Sequence, residues 1–251
     1  HVPLRTAMAK KRKRDAPKNT PEPEPEDELP VTEGSAQPKF GQALAANDKE
    51  TRDKAVKALT RYLKRAHDIS DLELAKIWKA LFYCMWHSDK PKVQAELASV
   101  LAGLVHAMPA AKAMAFVGSF WACMAREWIR IDRLRLDKYY MLMRRVVEET
   151  CTWASGGGWQ PAQAAELAEM YRNGPLKDSV PVGLRYFLFD SLVAALPRQP
   201  AGAPPSSFGA EACATVCAPL VEALGSAADD HMLKRAMQGI IEPLLRQPTD
   251  G

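Results

Sequence analysis

From Phe40 onward the apolar residues recur three and four positions apart, and alternating β-branched runs are almost absent. This is the period of a helix face rather than of a strand, so the chain is constrained to fold as packed helices. Val56, Leu59 and Leu63 form one such stripe behind Asp48, a residue suited to an N-cap. Ser70 and Glu73 form an S-x-x-E capping box opening a helix that buries Leu74, Ile77, Trp78, Leu81, Phe82 and Met85. Pro91 starts the next helix, with Val93, Leu97, Val100, Leu101, Leu104 and Met108 inward, and Pro109 ends it. A fourth helix holds Phe116, Phe120, Trp121, Met124 and Trp128. Asp132 caps a fifth that carries Leu136, Tyr139, Leu142, Met143 and Val146. A break at Ile131 is expected, because an unbroken helix would turn Arg135 onto the apolar stripe.

Gly156, Gly157 and Gly158 mark a possible hinge at residues 155–160. Beyond it the pattern predicts a helix from near Pro161, a turn at Gly174 and Pro175, and a helix over 182–196. A Pro-rich loop follows over 197–205, then helices over 208–224 and 228–245. Roughly nine helices of ordinary length, joined by short Pro, Gly and Ser turns, predict an all-α fold over residues 40–251. A HEAT-like antiparallel helical-repeat array, an α-solenoid, is favoured over a closed bundle although no strict repeat period is visible.

Residues 1–39 differ in kind. Seven of the chain's 19 prolines fall within residues 1–40, beside the alternating Pro and Glu stretch from Pro21 to Glu28. Such a segment buries too little apolar surface to offset its ordering entropy, so a disordered tail is expected. Its five consecutive cations Lys10, Lys11, Arg12, Lys13 and Arg14 read as a nuclear-import signal or a nucleic-acid arm.

The formal charge of +4 is too mild to imply a partner, but its distribution is informative. Residues 1–40, 41–147 and 148–251 carry net charges of +1, +8 and −5. The basic middle suggests an anionic partner, and the acidic C-terminal third suits a basic protein. Cys84, Cys123, Cys151, Cys213 and Cys217 are an odd set without a CxxC pair, expected to be buried free thiols of a reducing compartment. Cys213 and Cys217 stand four apart, but two thiols without a His fall short of a metal site. No apolar run reaches the ~20 residues of a membrane span, and no secretory signal is visible.

Catalysis requires convergent groups, and the sequence offers few. The five histidines are isolated from one another and from the cysteines, and the triglycine lacks the Lys-Ser/Thr of a phosphate loop. No catalytic residue, metal, cofactor or small-molecule substrate is expected. The segment 126–145 stands out instead, with Arg126, Arg130, Arg133, Arg135, Lys138, Arg144 and Arg145 against Glu127, Asp132 and Asp137. On a continuous helix Arg126, Arg130 and Arg133 would form one stripe able to track phosphates or an acidic partner. The alternative is that neighbouring aspartates tie these arginines into the array, Arg133 with Asp137 among them.

Three stretches carry a family resemblance. Residues 77–91, Ile-Trp-Lys-Ala-Leu-Phe-Tyr-Cys-Met-Trp-His-Ser-Asp-Lys-Pro, and residues 126–140, Arg-Glu-Trp-Ile-Arg-Ile-Asp-Arg-Leu-Arg-Leu-Asp-Lys-Tyr-Tyr, are the long ones. Val182-Gly-Leu-Arg-Tyr186 is a weaker third. Together they resemble the eukaryotic nucleolar ribosomal-RNA-processing protein 1 family over about residues 40–196. The resemblance implies a non-enzymatic scaffold in the nucleus and nucleolus, part of early pre-60S particles and needed for removal of internal transcribed spacer. It also implies partners: large-subunit rRNA precursor and assembly factors that include a Brix-domain protein and a β-propeller protein. Trp86 and Lys90 of the first stretch are candidate surface anchors. The runner-up reading is a generic helical-repeat protein that binds RNA directly.

Overall fold

A computed structural model describes residues 40–66, 68–197, 208–227 and 229–245. The tail 1–39, with its basic run Lys10 to Arg14, lies outside the described residues, as does most of the Pro-rich loop. The helices are α1 (Phe40–Leu44), α2 (Lys49–Arg65), α3 (Asp71–Trp86), α4 (Pro91–Gly103), α5 (Ala110–Glu127) and α6 (Arg133–Gly156). They continue as α7 (Pro161–Asn173), α8 (Val182–Ala195), α9 (Ala210–Ala227), α10 (Asp230–Ala236) and α11 (Glu242–Leu245). Short 3-10 turns, Leu104–Ala107 and Trp128–Arg130, follow α4 and α5, and a π turn, Met237–Ile241, joins α10 to α11. The last helix expected from the sequence is thus divided, and it begins at Asp230 behind an Asp229 cap. No strand occurs among the described residues, and no helix there is long and apolar enough to cross a membrane.

The boundaries follow from local chemistry. Asp48 accepts from the Thr51 amide, Ser70 and Glu73 complete the reciprocal capping box, and Pro91 opens α4. Asp132 accepts from the amides of Leu134 and Arg135, which places the break at Ile131 as the arginine pattern requires. Residues 155–160 form the turn that ends α6. Gly158 takes φ +76 and the next residue, Trp159, φ +52; the Trp159 ring is buried against Phe208 at 4.5 Å.

Packing runs between alternate helices. α1, α3, α5, α7 and α9 contact in series, and α4, α6, α8 and α10 form a second series. Two parallel rows of this kind are the architecture of a helical-repeat array. Large aromatic side chains fill the space between them. Trp78 of α3 lies 4.8 Å from both Phe116 and Phe120 of α5 and donates its indole N–H to the Phe116 carbonyl at 2.8 Å. Trp121 of α5 lies 6.4 Å from Tyr171 of α7 and from Phe187 of α8. Arg172 of α7 adds a forked pair to Glu222 of α9, at 2.6 and 2.9 Å.

One expected core position lies at the surface. Val100 is half-exposed, and α4 buries Ala98, Leu101 and Ala102 instead. The cause is tertiary. α4 turns its inner face to α6, while α2 packs on α1 and on the 3-10 turn after α4, so Val93, Leu97 and Val100 line an open cleft beside α2.

Trp78→Ala is expected to lower unfolding free energy by about 3–5 kcal/mol through the lost ring contacts. Val100→Ala should stay within about 0.5 kcal/mol. Urea denaturation of both variants compares them directly, and equal losses would contradict this assignment of the α4 face.

Candidate functional site

A helix ends with four carbonyls that lack intrahelical donors. At the C-terminus of α3 one donor comes from far along the chain. The Lys138 ammonium on α6 donates to the carbonyls of Trp86 at 2.6 Å and Ser88 at 2.8 Å, with Gln94 also donating to Ser88 at 2.9 Å. A cation there is also favoured by the negative end of the helix dipole. The adjacent Tyr139 stacks on Phe82, with centroids 4.6 Å apart and planes at 21°, and its hydroxyl donates to the Phe82 carbonyl at 2.9 Å. Arg135, one turn earlier, places its guanidinium 4.4 Å above the Trp86 ring and pairs with Asp132. The two long sequence stretches are therefore the two halves of one clasp. The third joins them: a Cβ on Gly183 would lie 2.9 Å from the Trp128 ring, so only glycine leaves room for that indole undisturbed. Arg185 pairs with Asp178 at 3.0 Å, and Tyr186 donates to Asp229 at 2.6 Å.

Burial divides the candidate cations. Lys138 is only 5% exposed and serves the fold rather than presenting a charge outward, which departs from its expected place on a binding surface. Desolvation, with the neighbouring Arg135 charge second, holds its pKa below the ordinary lysine value. Trp86 is half-buried, one face taken by Arg135, so its ring is not a free anchor. Arg126, Arg130, Arg133, Arg144, Arg145 and Lys90 are exposed. The stripe that an unbroken helix would make of Arg126, Arg130 and Arg133 does not form, because α5 ends at Glu127 and the chain is extended at Ile131, the position of the expected break. These three instead mark out the corner between α5 and α6. Nor do Arg133 and Asp137 pair among the described residues. Arg145 pairs with Glu148 at 2.8 Å.

Two features of the corner escaped the sequence reading. Glu127 is 2% exposed, and its carboxylate accepts from Arg126 Nε at 3.2 Å and from Arg130 Nη1 at 3.3 Å. The signal was its spacing of one and three residues from those arginines. Ile129 and Leu134 are the second feature: both stand off the apolar stripes, and each is flanked by arginine.

The described residues contain no group of three or more His, Cys, Asp or Glu able to hold a metal. Burial pushes the Cys84 and Cys123 thiols up to about 11 and the Cys151 thiol to about 12. Cys213 is lowered to about 7 by its hydrogen bond with Cys217, whose own pKa is raised by the same bond. All five cysteines are free thiols, four of them buried.

The profile of the family described as "Nucleolar protein, Nop52" matches residues 35–250, nearly all of the helical region. The chain belongs to the Nop52 family. Ribosomal RNA processing protein 1 homolog A of Homo sapiens is 45% identical over 137 residues, covering 52% of this chain and 30% of that protein. Its Mus musculus counterpart is 33% identical over 216 residues, covering 83% of this chain and 43% of that protein. Homolog B of Homo sapiens is 40% identical over 163 residues, with coverage of 62% and 22%. The chain thus spans less than half the length of each of these Nop52-family relatives.

Lys138→Ala is expected to cost about 1–3 kcal/mol by removing the donor to the Trp86 carbonyl and leaving the Ser88 carbonyl to Gln94 alone, whereas Lys90→Ala and Arg144→Ala should be near neutral. Chemical denaturation of the three single variants tests this. Asp132 gives a pH test. Desolvation raises its pKa, but the hydrogen bonds and charge of Arg135 and the capping amides outweigh this and leave it below the ordinary value. With its folded pKa below its unfolded one, Asp132 adds stability that is complete above about pH 4 and lost as pH falls through the folded pKa. The stability difference between the parent chain and Asp132→Ala should therefore shrink from pH 7 to pH 3.

Proposed function

We propose that the chain is a non-catalytic scaffold of nucleolar pre-60S ribosomal particles, acting in large-subunit rRNA maturation that includes removal of internal transcribed spacer. The observation that carries this reading is the clasp. All three stretches of the family resemblance converge on packing between helices: Phe82 and Tyr139 stack, Lys138 ties two carbonyls, Gly183 admits Trp128, and the Cys84 thiol of the first stretch is buried and pushed up to about 11. Residues spent in this way build a rigid surface rather than a reaction site. The names of the relatives, the family profile and the basic helical middle support the same reading. In it, a Brix-domain protein and a β-propeller protein are the neighbouring assembly factors, and the run Lys10 to Arg14 serves nuclear import. The acidic C-terminal third meets a basic protein.

Direct RNA binding is a second reading, favoured by the exposed Lys90, Arg126, Arg130, Arg133, Arg144 and Arg145. It predicts binding to single-stranded rRNA segments whose log affinity falls with log salt by about 0.7 for each phosphate neutralised.

Affinity purification of the tagged protein from nuclear extract tests the scaffold. Pre-60S assembly factors and large-subunit rRNA precursors should co-purify, and a preparation free of both would reject the proposal. Salt-titrated binding of the isolated chain to those rRNA segments separates the readings. The scaffold requires no such binding, while the second reading fails without a salt-dependent affinity.

A further inference from the structure

Ile129 and Leu134 are each 92% exposed, the two most exposed large apolar side chains among the described residues; the next, Leu72, is 64% exposed. Single apolar residues scattered over a surface are ordinary. These two are only five positions apart, at the one corner where α5 gives way to α6, and so lie within about 18 Å of each other. They contribute little to the fold. Trp128 and Ile131, from the same corner, turn inward and pack on the core.

The corner is also basic. Arg126, Arg130, Arg133 and Arg135 stand there against Glu127 and Asp132. Because Glu127 is buried while the side chains of Arg126 and Arg130 are 50% and 67% exposed, the face shown to solvent is more cationic than the sequence count. The buried Glu127 carboxylate holds the Arg126 and Arg130 side chains, and the Asp132 cap holds the backbone at the start of α6. A partner therefore has less side-chain freedom to remove on binding.

We propose that this corner is a protein-docking site, and that its occupant is a segment of a partner protein in which aliphatic side chains alternate with aspartate or glutamate. The aliphatic groups of that segment cover Ile129 and Leu134, and its carboxylates meet Arg126, Arg130 and Arg133. The exposed aliphatic pair favours protein over RNA. Nucleic acid engages cations and aromatic faces, and it gains little from covering isoleucine and leucine. The inference deepens the scaffold reading by naming the chemistry of a partner.

Photo-crosslinking in cells tests it, with p-benzoylphenylalanine placed singly at Ile129, at Leu134 and, as a control, at the exposed Glu50 of α2 in the full-length protein. Both corner positions should crosslink to another protein, at a segment carrying aliphatic residues interspersed with carboxylates. The yield should fall severalfold when Arg133, which makes no ion pair among the described residues, is changed to Glu, with the circular dichroism spectrum unchanged; Arg126 and Arg130 are kept because they also pair with the buried Glu127. Crosslinks to RNA, to residues 22–31 of the same chain, to a second copy, or to a basic or purely polar segment would overturn the proposal. So would the absence of any crosslink from the corner beyond that at the control position. If the captured protein has the stated chemistry but is no part of a pre-60S particle, the docking site stands and the scaffold reading fails.

Discussion

One lysine connects the two parts of the chain that matter most. Lys138 reaches from α6 to carbonyls at the end of α3, 52 and 50 residues earlier, and Tyr139 beside it stacks on the same helix. Within each row a helix contacts its neighbours along that row, and most of those contacts are apolar and non-directional. The clasp is directional. Two carbonyl oxygens at a helix end specify where an ammonium must stand, and this sets the height of α6 relative to α3. α5 and the corner before α6 are held as well, because α5 packs on α3 and the chain between the two halves of the clasp is largely helical.

The chemistry of the long sequence stretches follows from this constraint. Leu-Arg-Leu-Asp-Lys, residues 134–138, places one arginine on an indole and one lysine under a helix end, and leaves Leu134 outside. Neither cation is interchangeable with a generic surface charge. Arg135 offers a flat face to Trp86, whereas Lys138 offers a compact donor that can satisfy two carbonyls at once. The glycine at 183 completes the arrangement by admitting Trp128, so that all three stretches are explained by one region of packing.

The sequence made the helix boundaries legible, because caps act within three residues of themselves. Asp48, the Ser70–Glu73 box, Pro91 and Asp132 stand where their chemistry places them. Lys138 was not legible, since it looks like any other cation until α3 lies across from it. Val100 was misleading for the same reason: its helical phase fits a core stripe, but α2 does not cover it. Glu127 shows the reverse case, a carboxylate that local sequence marks as an exposed pair and that tertiary packing buries. Short-range patterns thus revealed where helices begin and end, and which way each charge faces was decided by contacts far along the chain.

A row of helices that touch only their neighbours unravels from its ends, each unit leaving without consulting the rest. The tie from α6 to α3 crosses between the two rows and so couples units that would otherwise melt in sequence. Fraying that begins near α1 or α10 should halt at this point, leaving a block from α3 to α6 that opens all at once. Such a block keeps the corner between α5 and α6 in shape even while the outer helices breathe. A surface that keeps its shape in this way gives up little conformational freedom when something binds it.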